Sequence, residues 1–223
     1  MDMTARTDTP IDTSSLVDKV YGYLLKKIIE GELKYGDALK IKKLSEELAV
    51  STMPVREALK RLEYEKIVEI KPRSSCQIRI PSKTEIREIY ELREVLELYA
   101  IQKFREHHDA SRLARIREIT RQMQTVEKEP EEEVRIKKAI YLDREFHAEI
   151  CKLADNDQLN SFYYQLNLHL NMTMIHERTY IPLKKVYYPS HAEILRCLEN
   201  KTNGDELYDC VKKHFDNVKN YLF

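Results

Sequence analysis

Residues 41–62, IKKLSEELAVSTMPVREALKRL, decide the fold, because they predict two short helices separated by a tight turn. Apolar residues recur at helical spacing in both halves, so each helix has one face to bury. Residues 49–51 leave room only for a sharp turn, and Ser51 or Thr52 can cap the second helix. Pro54 falls in the first turn of that helix, where no intrahelical hydrogen bond is lost. The pattern indicates a helix-turn-helix.

The polar face of the second helix is a candidate surface for reading the major groove of DNA. Its residues are spaced to lie along one stripe: Thr52, Met53, Arg56 and Lys60. Arg56 can alternatively form an ion pair with Glu57 or Glu63. Because Arg56 shares the stripe with Thr52, DNA contact is the favoured interpretation.

The flanking elements complete a small DNA-binding domain. A helix is predicted from 16 to 30, and Gly31 is a usual helix stop. Residues 67–70 and 76–80 alternate in polarity like two short strands, and the turn between them would be a wing. Arg73 lies at its tip, where it can reach DNA phosphates or the minor groove, or can simply be solvated.

The run from 30 to 63, EGELKYGDALKIKKLSEELAVSTMPVREALKRLE, resembles the winged-helix domain of the GntR family of bacterial transcription regulators. The resemblance implies DNA contacts from Ser51 and from Lys42, which occupies a DNA-facing position in the family. Two positions depart from the family pattern: Thr52 stands where an arginine is common, and Ser75 stands where a wing glycine is common. Threonine cannot make a bidentate guanine contact, so a different operator sequence is expected.

Charge supports this assignment only mildly. The 223 residues carry 38 basic and 38 acidic side chains, so there is no global basic signal for nucleic acid. Residues 13–80 hold 14 Lys plus Arg against 10 Asp plus Glu, whereas 81–223 hold 23 against 25. The four cysteines form no C-x-x-C pair and are interpreted as reduced thiols. No apolar run reaches membrane length, so we expect a soluble cytoplasmic protein without membrane contact.

The chain beyond residue 80 predicts helices only. The predicted spans are 85–107, 111–128, 131–153, 158–176, 188–198 and 206–222. Ser82 or Thr84 can cap the first of them. We therefore expect a mainly α protein with a polar tail at 1–13, a winged helix-turn-helix domain at 14–80 and an antiparallel helical bundle at 81–223.

Polar residues interrupt the apolar stripes of this bundle. Asp143 and His147 lie one turn apart on the apolar face of their helix, and His191 and His214 lie on the apolar faces of two others. Any one of these histidines alone would be more simply explained as a core residue. Together, one carboxylate and three imidazoles suit a divalent metal, which would offset the cost of burying them.

The same residues resemble the metal site of the FCD effector domain, found in the FadR branch of GntR regulators. The phrase DREFHAEI at 143–150 and the phrase SHAEI at 190–194 fit that pattern, and six helices match the shorter, VanR-like version. The resemblance implies that Arg93 faces an effector pocket, where its guanidinium can bind a small carboxylate. Arg93 can also snorkel or pair with a neighbouring glutamate. His169 is a further candidate for that pocket.

These observations predict a ligand-responsive DNA-binding regulator that is not an enzyme. We expect a homodimer on a palindromic operator, because one recognition helix covers a half-site. Repression released by a small organic acid is the common family behaviour, although no residue fixes its sign. Two alternatives stay open: a hydrolase-like metalloenzyme and a regulator whose metal is purely structural. Zinc is the first expectation for the metal, with nickel, manganese and iron as alternatives.

Overall fold

A computed structural model describes residues 15–71, 75–177, 180–200 and 204–222. Contacts divide these residues into two units, one formed by 15–28 with 36–79 and the other by 29–35 with 80–222. Among these residues, no helix combines the length and the apolar character that crossing a bilayer requires. Each unit is described by itself.

The N-terminal unit is a helix-turn-helix with a small antiparallel sheet. Its helices are α1 Leu16–Ile29, α2 Ile41–Glu47 and α3 Thr52–Tyr64, and its strands are β1 Ala38–Leu39, β2 Val68–Lys71 and β3 Ser75–Ile78. The predicted apolar faces of α1 and α3 are buried, and Leu24, Leu59 and Ile78 are each at most 1% exposed. The predicted helices and hairpin are therefore confirmed.

The sheet contains one strand that the sequence pattern did not predict. β3 lies in the centre, with β1 on one side and β2 on the other. β1 pairs through Ala38 with Gln77 and through Leu39 with Cys76. Two residues are too short to show a period-2 alternation, which explains why this strand was missed.

The turn between α2 and α3 depends on one unusual backbone conformation. Ala49 has a φ of 50°, in the left-handed region, and the amide of Val50 donates to the carbonyl of Ser45 over 3.0 Å. Ser51 takes the predicted N-cap position of α3, but its side chain makes no capping hydrogen bond there. The Ser51 hydroxyl therefore does not cap α3.

The second unit is an all-helical bundle, as predicted. Its helices are α4 Lys83–Glu106, α5 Ala114–Thr125, α6 Glu132–Lys152, α7 Asp157–Glu177, α8 Tyr180–Glu199 and α9 Gly204–Leu222, with short 3-10 segments at Ala110–Leu113 and Val126–Lys128. Ser82 caps α4 in a capping box with Glu85. Phe104, Phe146 and Phe215 fill the core between α4, α6 and α9.

One helix boundary in the bundle differs from the prediction. α8 begins at Tyr180, whereas the sequence pattern placed its start at residue 188. Pro189 lies inside the helix, where a proline cannot donate an intrahelical hydrogen bond. The additional turns of α8 precede the segment that carries His191.

Replacing Ala49 with glycine should stabilise the N-terminal unit. An L-residue in the left-handed region costs about 1–2 kcal/mol, and the greater freedom of glycine in the unfolded chain offsets about half of that gain. We expect native-state hydrogen exchange of the α3 amides to slow by an amount equivalent to about 0.5–1 kcal/mol. Ala58→Gly, in the middle of α3, is the control and should speed the exchange. Equal effects of the two substitutions would contradict the assigned backbone strain.

Candidate functional site

The four residues predicted to bind a metal come together in the core of the bundle. α6 supplies Asp143 and His147, α8 supplies His191 and α9 supplies His214, and each is at most 2% exposed. Nε2 of His147 and Nε2 of His191 are 3.0 Å apart. Asp143 Oδ1 lies 3.1 Å from His191 Nε2 and 3.4 Å from His147 Nε2. The three histidines place ligand atoms within 4.8 Å of one another.

Hydrogen bonds around the cluster orient its rings. His147 Nδ1 lies 2.7 Å from Glu97 Oε2, so it donates to this carboxylate and leaves a lone pair on Nε2. His214 Nδ1 lies 2.8 Å from the hydroxyl of Ser190, so Nε2 is the nitrogen that His214 can contribute to the cluster. Outer partners of this kind fix ring orientation and tautomer in metal sites.

The donor set fits a metal ion. Within the described part of the chain, Asp143 Oδ1 is a buried oxygen without a hydrogen-bond partner. Such an atom is costly unless something compensates it. Atoms held about 2.1 Å from one cation lie about 3.0–3.4 Å from each other in octahedral or tetrahedral coordination. The observed spacing of Asp143, His147 and His191 matches that range.

The cluster has strongly perturbed protonation equilibria. Burial opposes the charged form of Asp143, but His147, His191 and Arg93 outweigh it and hold the pKa of this carboxyl well below its usual range. Burial and the two neighbouring imidazoles lower the pKa of His214. Burial and Arg93 oppose the protonation of His147, yet its contacts with Glu97 and Asp143 raise its pKa. The site thus pairs an ionised carboxylate with a neutral imidazole on His214.

Arg93 lies beside this cluster, as its position on the apolar stripe predicted. It is 1% exposed, and its Nε donates to Glu97 Oε1 over 2.8 Å. Its second terminal nitrogen is 3.8 Å from Asp143 Oδ2. The pairing with a neighbouring glutamate, which the sequence leaves open as an alternative, is thus the contact that the structure contains. The predicted role of Arg93 toward an effector stays a prediction.

Sequence reasoning missed two other members of this region. Glu97 follows Arg93 by one helical turn, and this spacing could have revealed it as the partner of a buried arginine. The hydroxyl of Tyr163 is buried without a hydrogen-bond partner among the described residues, and its ring centre lies 5.9 Å from the Arg93 guanidinium. His169 is half-buried on α7 and is not one of the histidines that converge, so its effector role also stays a prediction.

A cavity of about 810 Å³ lies between α8 and α9. Ser190 and His214 line it, together with Glu193, Cys210 and Lys213. Because His214 belongs to the histidine cluster and Ser190 is its hydrogen-bond partner, this cavity reaches the edge of the site. A small molecule in it would meet polar side chains of both signs.

The second candidate surface lies on the helix-turn-helix. The predicted DNA-contacting residues that the structure describes are all exposed: Lys42, Ser51, Thr52, Arg56 and Lys60. Glu57 accepts a hydrogen bond from Lys60 over 2.9 Å, and Glu63 accepts one from the Ile70 amide. The two carboxylates considered as partners for Arg56 therefore bond elsewhere. Arg73 lies outside the described residues, and its role stays a prediction.

A cationic cleft adjoins the exposed face of α3. Its volume is about 460 Å³, and its lining includes Lys40, Arg56, Lys60 and Lys71. These side chains come from α3, from β2 and from the residue before α2. Converging cations on one face are the electrostatic pattern expected of a phosphate-binding surface.

Comparison with known proteins agrees with both surfaces. Residues 16–78 match the bacterial regulatory proteins of the gntR family, and residues 88–217 match the FCD domain. The chain belongs to the FCD-containing GntR family. The histidine cluster lies within the FCD match, and the exposed face of α3 lies within the GntR match.

Of three proteins similar to this GntR protein, two match most of its length and one matches about a third of it. It is 29% identical to the Uxu operon regulator of Haemophilus influenzae over 94% of this chain and 84% of that protein. It is 39% identical to the gluconate operon transcriptional repressor of Bacillus licheniformis over 36% of this chain and 32% of that protein. The solved structure of E. coli McbR/YncC shares the fold, with a TM-score of 0.74 and 24% identity over 94% of this chain and 98% of that one. This GntR protein is therefore a DNA-binding transcriptional regulator with an FCD domain.

Replacing Arg93 with methionine should destabilise the metal-free protein strongly. The substitution leaves Glu97 and Asp143 buried without their guanidinium partner, and removing one member of a buried ion pair costs about 3–5 kcal/mol. Denaturant unfolding after chelator treatment measures the change. Lys103→Met is the matched control, because it removes an exposed cation that pairs with Glu106 on the same helix. A loss no larger than that of the control would show that the buried network does not contribute as described.

Proposed function

We propose that this regulator binds its operator as a homodimer and senses a small organic acid through a divalent metal held by Asp143, His147, His191 and His214. The observation that carries the proposal is the convergence of Asp143 Oδ1 with the two Nε2 atoms, all between 3.0 and 3.4 Å apart. A divalent cation accepts lone pairs from all of these atoms at once. Bound there, it supplies coordination positions that a carboxylate oxygen can occupy.

The metal is proposed to be zinc. Three imidazoles and one carboxylate are common zinc ligands, although nickel, manganese and iron accept the same donors. Glu97 and Ser190 support this role, because each holds the other ring nitrogen of a ligand histidine. His147 and His214 must be deprotonated at Nε2 to bind the ion. Glu97 favours that form of His147, because a carboxylate accepts the proton of Nδ1.

A small carboxylate is the proposed effector. Arg93 is a buried cation next to the cluster, and its described contacts use Nε and one terminal nitrogen. A planar guanidinium recognises a carboxylate through paired hydrogen bonds. The buried hydroxyl of Tyr163 supplies a further donor in the same region. The gluconate repressor named above does not bear on the effector, because its similarity covers only 36% of this chain.

The homodimer proposal rests on the symmetry of DNA recognition and on one face of α4. A single recognition helix covers a half-site, so a palindromic operator needs two copies. α4 exposes Leu92, Val95 and Tyr99 at helical spacing, with exposed fractions of 55%, 63% and 43%. A second copy packed on this face would remove the apolar surface from water.

These two roles of α4 give the proposed mechanism of control. Arg93 faces the bundle core, whereas Leu92 and Val95 lie on the exposed side of the same helix. A carboxylate that draws Arg93 away from Glu97 would shift α4 and with it the proposed dimer face. The change in operator affinity is limited by how much more tightly the effector binds one position of α4 than the other. We propose repression released by the effector, in keeping with the gluconate operon repressor that part of this chain resembles.

Arg56 should be required for sequence-specific binding. Duplexes selected from a random-sequence library by the parent protein provide the probe. We expect Arg56→Gln to raise Kd for these duplexes by about 10- to 100-fold, because loss of one base-reading arginine costs about 1–3 kcal/mol. Arg61→Gln is the matched control, since Arg61 lies on the same helix but pairs with Asp18 and Glu65. Equal losses in the two variants would overturn the assignment of the reading face.

Carboxylates should act on operator affinity only through the intact histidine cluster. With lactate, malate, citrate and gluconate as probes, we expect at least one to change Kd of the zinc-loaded parent by about 5- to 150-fold. His214→Gln should abolish the response because it removes one ligand. His107→Gln, which alters an exposed histidine at the end of α4, is the control and should keep it.

Two outcomes would contradict this proposal. A response of equal size in His214→Gln would show that the effector acts without the cluster. A zinc-loaded parent that responds to none of the carboxylates would favour a purely structural metal.

A further inference from the structure

A second group of metal-binding side chains lies outside the histidine cluster. Cys197 on α8 and Cys210 on α9 place their Sγ atoms 3.2 Å apart. Cys197 is fully buried, whereas Cys210 is half-buried and lines the 810 Å³ cavity. The proposed sensing mechanism uses neither thiol.

Glu193 adds a third donor to this pair. It precedes Cys197 by one turn of α8, and its Oε1 lies 4.0 Å from Cys210 Sγ. One ligand atom from each of the three residues lies within 4.8 Å of the other two. Two helices thus bring two sulfurs and one carboxylate together, which is a donor set that suits a thiophilic ion.

A positive charge already lies among these donors. One terminal nitrogen of Arg196 is 3.6 Å from Cys197 Sγ, 2.7 Å from Glu193 Oε1 and 3.2 Å from Glu206 Oε1. The Arg196 side chain is 47% exposed, so it can leave the site without burying its charge. Its contacts show that the electrostatic field of the group favours a cation.

We propose that Cys197, Cys210 and Glu193 form a second metal site that binds a thiophilic divalent ion such as zinc or cadmium. Each thiol releases its proton to solvent as a metal–sulfur bond forms, so no oxidant or reductant is required. Arg196 is displaced from Glu193 when the ion enters. The site is independent of the proposed function, because it shares no ligand with the histidine cluster.

The same thiols could instead be joined in a disulfide by a peroxide. That reaction starts from a thiolate. At Cys210, burial and the Glu193 carboxylate disfavour the thiolate, and Arg196 offsets them only in part. A metal cation reverses this effect, because it binds the carboxylate and both sulfurs together. Glu193 therefore favours the metal site over the redox pair.

Anaerobic cobalt titration of the full chain, with a phosphine as reductant, tests the proposal. Cobalt bound to thiolates has a charge-transfer absorption in the near ultraviolet that histidine and carboxylate ligands do not produce. We expect the saturated band to correspond to about one thiolate-bound cobalt ion per chain, in addition to the ion that the histidine cluster takes up. Cys210→Ser should abolish it, and His214→Gln should keep it.

Three further variants sharpen the test. Cys76→Ser, which alters a buried thiol of the N-terminal unit, should leave the band unchanged. Glu193→Gln should weaken cobalt binding, whereas Arg196→Gln should strengthen it by removing the competing cation. If Glu193 and Arg196 merely supported the fold, both substitutions would weaken cobalt binding.

Several results would overturn the second site. One is a parent protein in which cobalt fills the histidine cluster but produces no thiolate band. Another is a band that persists in Cys210→Ser. A third is a mass two hydrogens lower than that of the reduced chain after phosphine treatment, which would identify a stable disulfide. Because Cys210 is half-buried, its serine variant should remain folded even if Cys197→Ser does not.

Discussion

The bundle depends on a buried guanidinium that two carboxylates hold in place. Arg93 donates to Glu97 on its own helix and lies 3.8 Å from Asp143 on α6. Burying a charge costs several kcal/mol unless partners compensate it, so α4 and α6 must meet in a register that supplies them. Glu97 extends the network to His147, over 2.7 Å. The ion pair and the candidate metal centre therefore belong to one connected network of polar contacts.

The charge of this network explains why a cation suits it. With neutral imidazoles, the buried groups are Arg93 at +1 and Asp143 and Glu97 at −1 each, which leaves −1. In the metal-free protein, a proton on His147 can compensate this charge. Burial and Arg93 oppose that proton, but Glu97 and Asp143 favour it and raise the pKa of His147. A divalent ion would replace that proton and would also satisfy Asp143 Oδ1. A ligand bound near Arg93 would then add its charge to a buried network whose net charge depends on the bound ion.

The sequence predicted the elements whose pattern is local and missed those that depend on distant partners. Apolar spacing revealed the helix-turn-helix, and the same spacing placed Asp143 and His147 on a buried face. The strand at Ala38 was missed because two residues show no periodicity. The start of α8 was placed at residue 188 instead of Tyr180, and the proline inside this helix carries no local signal that the helix extends before it. Glu97 was missed because a glutamate on a charged helix suggests a solvated position unless its buried partner is known.

Metal content is the most direct test of the central claim that the buried aspartate and histidines bind a divalent ion. Native mass spectrometry with elemental analysis should compare a Cys210→Ser protein with the same protein carrying His147→Ala and His191→Ala. The cysteine change removes the second proposed site, so that only the histidine cluster is counted. We expect about one metal ion per chain in the first protein and none in the second. Absence of metal from the first, even after reconstitution with zinc, nickel, manganese and iron, would contradict the account.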